Sequence, residues 1–362
     1  MNRDVITKRI RAIRRELNKK KIKCLIVTKP ANVTYTTGFM GEDSWAAITK
    51  GNVFLLTDSR YIEQAQSECP NCTIMERSNS MSELAAKLVK NLKSVRTVTV
   101  EKTTSLADFE TLKKHVKARF RSVANVIETV RSSKDNTEIK TIEAAASIAA
   151  RALKQTLPHI KPGIIESELA GMLDFQIRKL GATNSFPTIV AFSPNASRPH
   201  HQPGKRKLKQ KDTVLIDFGA KYKGYCSDIT RCFVIGKPTA FYKKVYDVVE
   251  QAQAAAIKMI KAGVKINRVD AAAREVIDKS DLPVYGHGTG HGLGLEIHES
   301  PFLKVESKGK LNAGEVITIE PGVYIPGKLG VRIEDDVLVT KTGQKILTCK
   351  CPHSPLLLSG KD

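Results

Sequence analysis

Apolar side chains recur at helical spacing at the start of the chain, where Ile6, Ile10, Ile13 and Leu17 lie in a segment, residues 1–23, with ten basic and two acidic residues. That pattern predicts an amphipathic helix with a charged outer face. Short apolar runs follow at KCLIVT (23–28), NVFLLTDSRY (52–61) and VRTVTVE (95–101), with a helical pattern near 81–94. The alternation of helical and strand-like segments predicts a small α/β domain over residues 1–128. The polar stretch RSSKDNT (131–137) precedes a strong helical pattern, which places a second domain at 129–362.

That second domain repeats itself with an offset of 100 residues. Lys161, Gly163 and Ile164 lead into a helix with Leu169, and Lys261, Gly263 and Val264 lead into one with Val269. Each helix pair is followed by apolar strand segments and a hairpin, VLIDFGAKYKGYCSDITRCFVI in the first copy and VITIEPGVYIPGKLGVRIEDDVLV in the second. Two helix–helix–hairpin units predict a pseudo-twofold domain with its site between the halves.

Composition narrows the class. The 362 residues are 41% hydrophobic, ordinary for a soluble globular protein, and no apolar run reaches the roughly 20 residues that span a bilayer. The start, MNRDVITKRIRAIRREL, lacks the apolar stretch of a signal peptide, and the seven cysteines are odd in number and scattered. Both features predict a cytoplasmic chain without a disulfide framework. Cys69 and Cys72 form one CxxC, which reads as a loop motif because no second pair stands at a zinc-site spacing. The net charge of +22 is shared by both halves, and no aromatic residues interleave with the basic run of residues 1–23. A solvated face is therefore expected there, with neither nucleic acid nor membrane as partner.

The chemistry sits in the hairpins. Asp217 and Asp228 are symmetric about Tyr222 and Lys223, so a tight turn there sets them opposite each other, and Glu320 and Glu334 are symmetric about Gly327. Four carboxylates converging in an interior repel one another unless divalent cations neutralise them. The segment YGHGTGHGLGLEIHE (285–299) adds His287, His291 and His298, with glycines too frequent for a regular helix. HExxH and the strict GxGxxG fingerprint are absent, and His115, His159 and His353 read as surface or packing residues.

These motifs resemble the pita-bread metallopeptidase family, in particular its Xaa-Pro aminopeptidases and prolidases. The segments that carry the likeness are SFPTIVAFSPNASRPHH (185–201), DFGAKYKGYCSDITR (217–231), GHGTGHGLGLEIHESP (286–301), TIEPGVYI (318–325) and GVRIEDD (330–336). NVTYTTGF (32–39) and TDSRYIEQA (57–65) are similar to the family's creatinase-like amino-terminal domain, which methionine aminopeptidases generally lack. The resemblance implies an amino-terminal α/β domain followed by an α+β pita-bread catalytic domain. It implies metal ligation by Asp217, Asp228, His291, Glu320 and Glu334, with Asp228 and Glu334 bridging two ions. His200, His298, Glu320 and Arg332 are then the catalytic candidates, and His200, His287, Tyr324 and Arg332 the substrate-binding ones. The separation of His200 from Asp217 fits the family pattern better than that of His201. Arg198 departs from it, standing where a small or apolar residue is usual, and so bears on pocket width or on an acidic substrate group.

The expected activity is metal-assisted hydrolysis after an amino-terminal residue that precedes proline, as an aminopeptidase or, in the alternative, as a strict dipeptidase. Oxygen donors with one imidazole favour Mn²⁺, with Zn²⁺, Co²⁺ or Fe²⁺ also compatible. The expected partners are peptides with proline second and a further copy of the chain in a homodimer. Two other classes compete on the same fold. A creatinase-like amidinohydrolase lacks the full ligand set, and a non-catalytic nucleic-acid or protein binder has no reason to keep five ligands.

Overall fold

In the computed structural model, which describes residues 3–92, 95–352 and 357–358, the chain opens on helix α1 (Arg3–Lys19). Ile6, Ile10, Ile13 and Leu17 are buried, while Lys8, Arg11, Arg15 and Lys19 stay in solvent. The chain divides into two units, Met1–Arg131 and Ser132–Asp362.

The first unit is built on a six-stranded mixed sheet. Its elements run β1 (Cys24–Val27), α2 (Pro30–Thr37), β2 (Trp45–Thr49), β3 (Val53–Thr57), α3 (Ile62–Glu68) and β4 (Thr73–Glu76). They continue through α4 (Met81–Asn91), β5 (Thr97–Glu101), α5 (Leu106–His115), β6 (Arg119–Val123) and the short α6 (Ile127–Ser132). The strand order is β4-β3-β2-β1-β5-β6, with β1 antiparallel to β2 and parallel to β5. The expected helix near 81–94 is found as α4, its start capped by Ser80, whose hydroxyl accepts from the Glu83 amide; residues 93–94 lie outside the described residues. The run NVFLLTDSRY is only half strand, because the Asp58 carboxylate accepts from the Arg60 amide and turns the chain into a 3₁₀ turn.

The second unit shows why the sequence repeats. The polar 131–137 stretch supplies a reciprocal cap for α7 (Asn136–Thr156): the Asp135 carboxylate accepts from the Thr137 and Glu138 amides, and the Glu138 carboxylate accepts from the Asp135 amide. Helix α8 (Glu166–Lys179) leads to β7 (Thr183–Asn184), β8 (Ile189–Phe192), β9 (Thr213–Phe218), β10 (Ala220–Tyr222), β11 (Tyr225–Cys226) and β12 (Ile229–Ile235). The second copy is α9 (Ala240–Met259), α10 (Ile266–Asp278), β13 (Gly290–Gly292), β14 (Glu299–Leu303), β15 (Val316–Ile319), β16 (Gly322–Ile325), β17 (Leu329–Arg332), β18 (Asp335–Val339) and β19 (Gln344–Ile346). Both copies close the helix–helix turn in the same way. The Gly163 amide donates to Leu208 O and the Gly263 amide to Leu311 O, with both glycines in the left-handed region at φ 101° and 89°.

Strands β9 and β12 are buried on both faces. Ile216, Phe218 and Phe233 pack into a core with Leu153, Leu169 and Leu173, whereas Leu215, Cys232 and Val234 join a second core with Val249, Val269 and Ile317. This double burial explains the unalternating apolar runs Val214–Ile216 and Cys232–Ile235 within them.

The two hairpins differ from each other in how the sequence symmetry maps onto register. In the first, the turn lies one residue later than expected, at Lys223 and Gly224, both with positive φ (47° and 83°). Those angles suit a two-residue hairpin turn whose twist matches its strands. Asp217 therefore pairs with Thr230, not with Asp228, which sits just before β12. In the second, the pairs Ile319↔Asp335 and Gly322↔Arg332 flank Glu320 and Glu334, centred on Gly327. A bridge between Thr230 and Glu334 joins the two hairpins.

Candidate metal centre

The bridge between the hairpins concentrates charge. Asp217, Asp228 and Glu334 are buried, and with Glu320 and His291 they line one cavity of about 470 Å³. Donor atoms of Asp228, His291 and Glu334 lie within 4.8 Å of one another. The His291 Nε2 atom is 3.4 Å from Glu320 Oε1 and 3.7 Å from Asp228 Oδ2. Burial, followed by the charges of Glu334, Asp217 and Glu320, holds the Asp228 carboxyl far above the usual carboxylate range. Burial and the charges of Glu320 and Asp217 do the same to Glu334. A cluster of this kind is costly as four bare anions and favourable around dications.

The donor set fits such ions in two further respects. Asp217 Oδ1 is buried without a hydrogen-bond partner among the described residues, although Arg332 Nη2 donates to Oδ2 of the same carboxylate at 2.6 Å. The His291 ring lies with Nδ1 3.1 Å from Gly292 O, so Nδ1–H donates and the Nε2 lone pair faces the carboxylates. Burial lowers the His291 pKa, which keeps that lone pair free at neutral pH.

Glycine brings His291 to its place. A Cβ on Gly290 would lie 1.9 Å from Thr318 O, so only glycine lets β13 approach β15 this closely. Gly290→Ala should therefore cost about 1–3 kcal/mol of stability through overpacking. Thermal unfolding checks this, and an unchanged midpoint would mean that the strand yields without cost.

The other candidates divide by position. His200 and His298 are exposed on the cavity wall, and the His298 ring packs edge-on to His291 with centroids 4.4 Å apart. Partial shielding from solvent by the cavity wall, followed by the neighbouring His291, lowers the His298 pKa. Tyr324 stands behind the wall: its hydroxyl accepts from Arg332 Nη1 at 2.9 Å and lies 3.0 Å from His287 Nε2. Because His287 Nδ1–H donates to Gly288 O at 2.8 Å, Nε2 accepts from the Tyr324 hydroxyl. Burial pushes the Tyr324 hydroxyl up to about 12, so it keeps its proton. Arg332 spends a third donor on Thr230 Oγ1 at 3.1 Å. Arg198 is exposed, donates to Asn195 Oδ1 at 2.6 Å and is not among the cavity-lining residues. His115 and His159 are exposed, and His353 lies outside the described residues.

Several residues escaped the sequence reading. Thr230 donates to Glu334 Oε2 at 2.6 Å, and the Asp336 carboxylate accepts from the Asp228 amide at 3.1 Å. The correct hairpin register would have found Thr230. Buried Glu166 accepts from the Phe192 amide, Asn195 Nδ2 and the Gly204 amide, and pairs with His201 Nε2 at 2.9 Å. It thereby anchors the loop that carries His200 while occupying the ring of His201.

Known proteins resemble the chain in both parts. Residues 9–133 match the creatinase/prolidase amino-terminal domain, and residues 140–341 match metallopeptidase family M24. A solved Xaa-Pro dipeptidase from Bacillus anthracis is 35% identical with a TM-score of 0.93, covering 97% of this chain and 99% of that one. A solved X-Pro aminopeptidase from Thermotoga maritima is 35% identical with a TM-score of 0.86, covering 92% of this chain and 97% of that one. An Xaa-Pro dipeptidase of Pyrococcus horikoshii is 34% identical over 354 residues, 95% of this chain and 98% of the relative.

Proposed function

The chain belongs to metallopeptidase family M24, as a metallo-exopeptidase of its prolidase branch, and from that membership and the geometry of its centre we propose that it is an Xaa-Pro dipeptidase. The observation that carries the reading is the convergence of Asp217, Asp228, Glu320, Glu334 and His291 in one cavity, with His200 and His298 on its wall. The sequence alone put the aminopeptidase first. Full-length likeness to dipeptidases from two organisms moves the balance to the dipeptidase, and likeness to an X-Pro aminopeptidase keeps the other reading as the rival.

In this proposal Asp217, Asp228, Glu320, Glu334 and His291 would hold two divalent ions, Mn²⁺ in first place. Such ions supply Lewis-acid polarisation of the peptide carbonyl and a nucleophile at neutral pH. Glu320 accepts the proton that the attacking water loses. His298 and His200 donate to the developing oxyanion and to the departing imino nitrogen. Arg332 positions Asp217 from behind, since three of its donors are engaged with Asp217, Tyr324 and Thr230. Tyr324 passes that order on to His287, which holds the substrate.

No helix among the described residues is long and apolar enough to cross a membrane. A cytoplasmic homodimer that does not bind nucleic acid completes the proposal.

Incubation of Mn²⁺-loaded protein with Ala-Pro, Ala-Pro-Ala and Met-Ala-Ser tests the assignment by chromatography of the products. Ala-Pro alone should be cut. Cleavage of the tripeptide Ala-Pro-Ala with Ala-Pro left intact returns the aminopeptidase, and cleavage of Met-Ala-Ser alone overturns proline specificity.

A further inference from the structure

Away from the metal centre, the first unit places two thiols where they can react with each other. Helix α3 ends at Glu68 and the chain turns through Cys69-Pro70-Asn71-Cys72 into β4, with the Cys72 amide donating to Cys69 O at 3.0 Å. A four-residue turn closed in this way brings its end Cα atoms within about 7 Å, the upper part of the range a disulfide spans. Pro70 supplies the fixed φ that such a turn favours at its second position. The two thiols lie within hydrogen-bond reach of each other. Donation from the Cys72 S–H to the Cys69 sulfur lowers the Cys69 pKa and raises that of Cys72.

Access to the pair is one-sided. Cys69 is buried, whereas Cys72 is half-buried on the wall of a cavity of about 560 Å³ that Arg11, Arg14, Asn52 and Asn71 also line. Two guanidinium groups on the wall of a cavity that also holds a reachable thiol select an anionic reactant.

We propose that Cys69 and Cys72 form a redox-active dithiol that exchanges with small disulfides bearing carboxylates, bound in the cavity lined by Arg11 and Arg14. The Cys69 thiolate takes the Cys72 proton as the Cys72 sulfur attacks one sulfur of the disulfide, forming a Cys72 mixed disulfide and releasing one thiolate. Cys69, giving up its proton, then attacks the Cys72 sulfur, closes the Cys69–Cys72 bond and expels the second thiolate. The protein loses two electrons and two protons, and the small disulfide becomes two thiols. The step is independent of the peptidase assignment, because its readout is the state of the thiols.

Full-length protein is incubated with oxidised glutathione, alkylated and digested for mass spectrometry. The peptide with Cys69 and Cys72 should lose two hydrogen atoms and resist alkylation. Cys69→Ser should stop at a glutathione adduct on Cys72, and Cys72→Ser should leave Cys69 unmodified. Arg11→Gln, at an exposed position, should slow oxidation by glutathione disulfide up to about tenfold. It should leave oxidation by the uncharged bis(2-hydroxyethyl) disulfide unchanged, along with adduct formation at exposed Cys349. Full alkylation of both cysteines after oxidation would overturn the dithiol. Equal slowing with the charged and uncharged disulfides, or at Cys349, would overturn recognition in the cavity.

Discussion

His291→Ala should empty the centre of metal and reduce Ala-Pro hydrolysis to background. The imidazole turns an unprotonated nitrogen toward the carboxylates, its tautomer fixed by Gly292 O and its Nε2 atom 3.4 Å from Glu320. Changes to outer partners of a metal ligand already cost about 10–100-fold in affinity, so removal of the ligand itself should cost at least that much. Metal analysis after gel filtration measures it directly. A His291→Ala protein that retains two tightly bound ions would remove His291 from the ligand set.

His298→Ala should behave in the opposite way, keeping its ions while turnover falls by about 10²–10⁴-fold, the usual cost of losing a proton carrier. The basis is position: His298 is exposed on the cavity wall and packs against the His291 ring, where it reaches a substrate more readily than the buried carboxylates. Metal content and kcat are measured on the same sample. If His298 serves only packing, thermal stability falls and kcat per loaded site stays near the parent value. Loss of metal as complete as in His291→Ala would redraw the division between ligand and proton carrier.

Much of this centre could be read before the fold was known, and the parts that could not have physical reasons. The repeat was legible because both copies need a left-handed glycine at one helix–helix turn, Gly163 and Gly263, and so carry the same punctuation. The second hairpin kept the symmetry of its carboxylates because its strands pair about Gly327. The first did not, because Lys223 and Gly224 took the turn and moved Asp217 opposite Thr230. Thr230 and Glu166 stayed hidden for a different reason: a threonine in a strand or a glutamate at a helix start has an ordinary solvent-facing reading, and only long-range contact gives either a task. In the first unit, WAAIT at β2 lacks the polar alternation that marks a strand, since Ala46, Ala47 and Ile48 are all buried.

The way the two hairpins are joined also fixes when in the life of the chain its chemistry begins. The contact of Asp217 with Arg332 spans 115 residues, that of Asp228 with Asp336 spans 108, and that of Thr230 with Glu334 spans 104. Contacts so distant in sequence form late, after loop closure has been overcome, and a chain leaving the ribosome presents its amino-terminal parts first. A growing chain that has emerged through β12 holds Asp217 and Asp228 but not yet His291, Glu320 or Glu334. On the proposed ligand set, assembly of the centre thus waits on the last part of translation, and the unfinished chain holds no complete ion site.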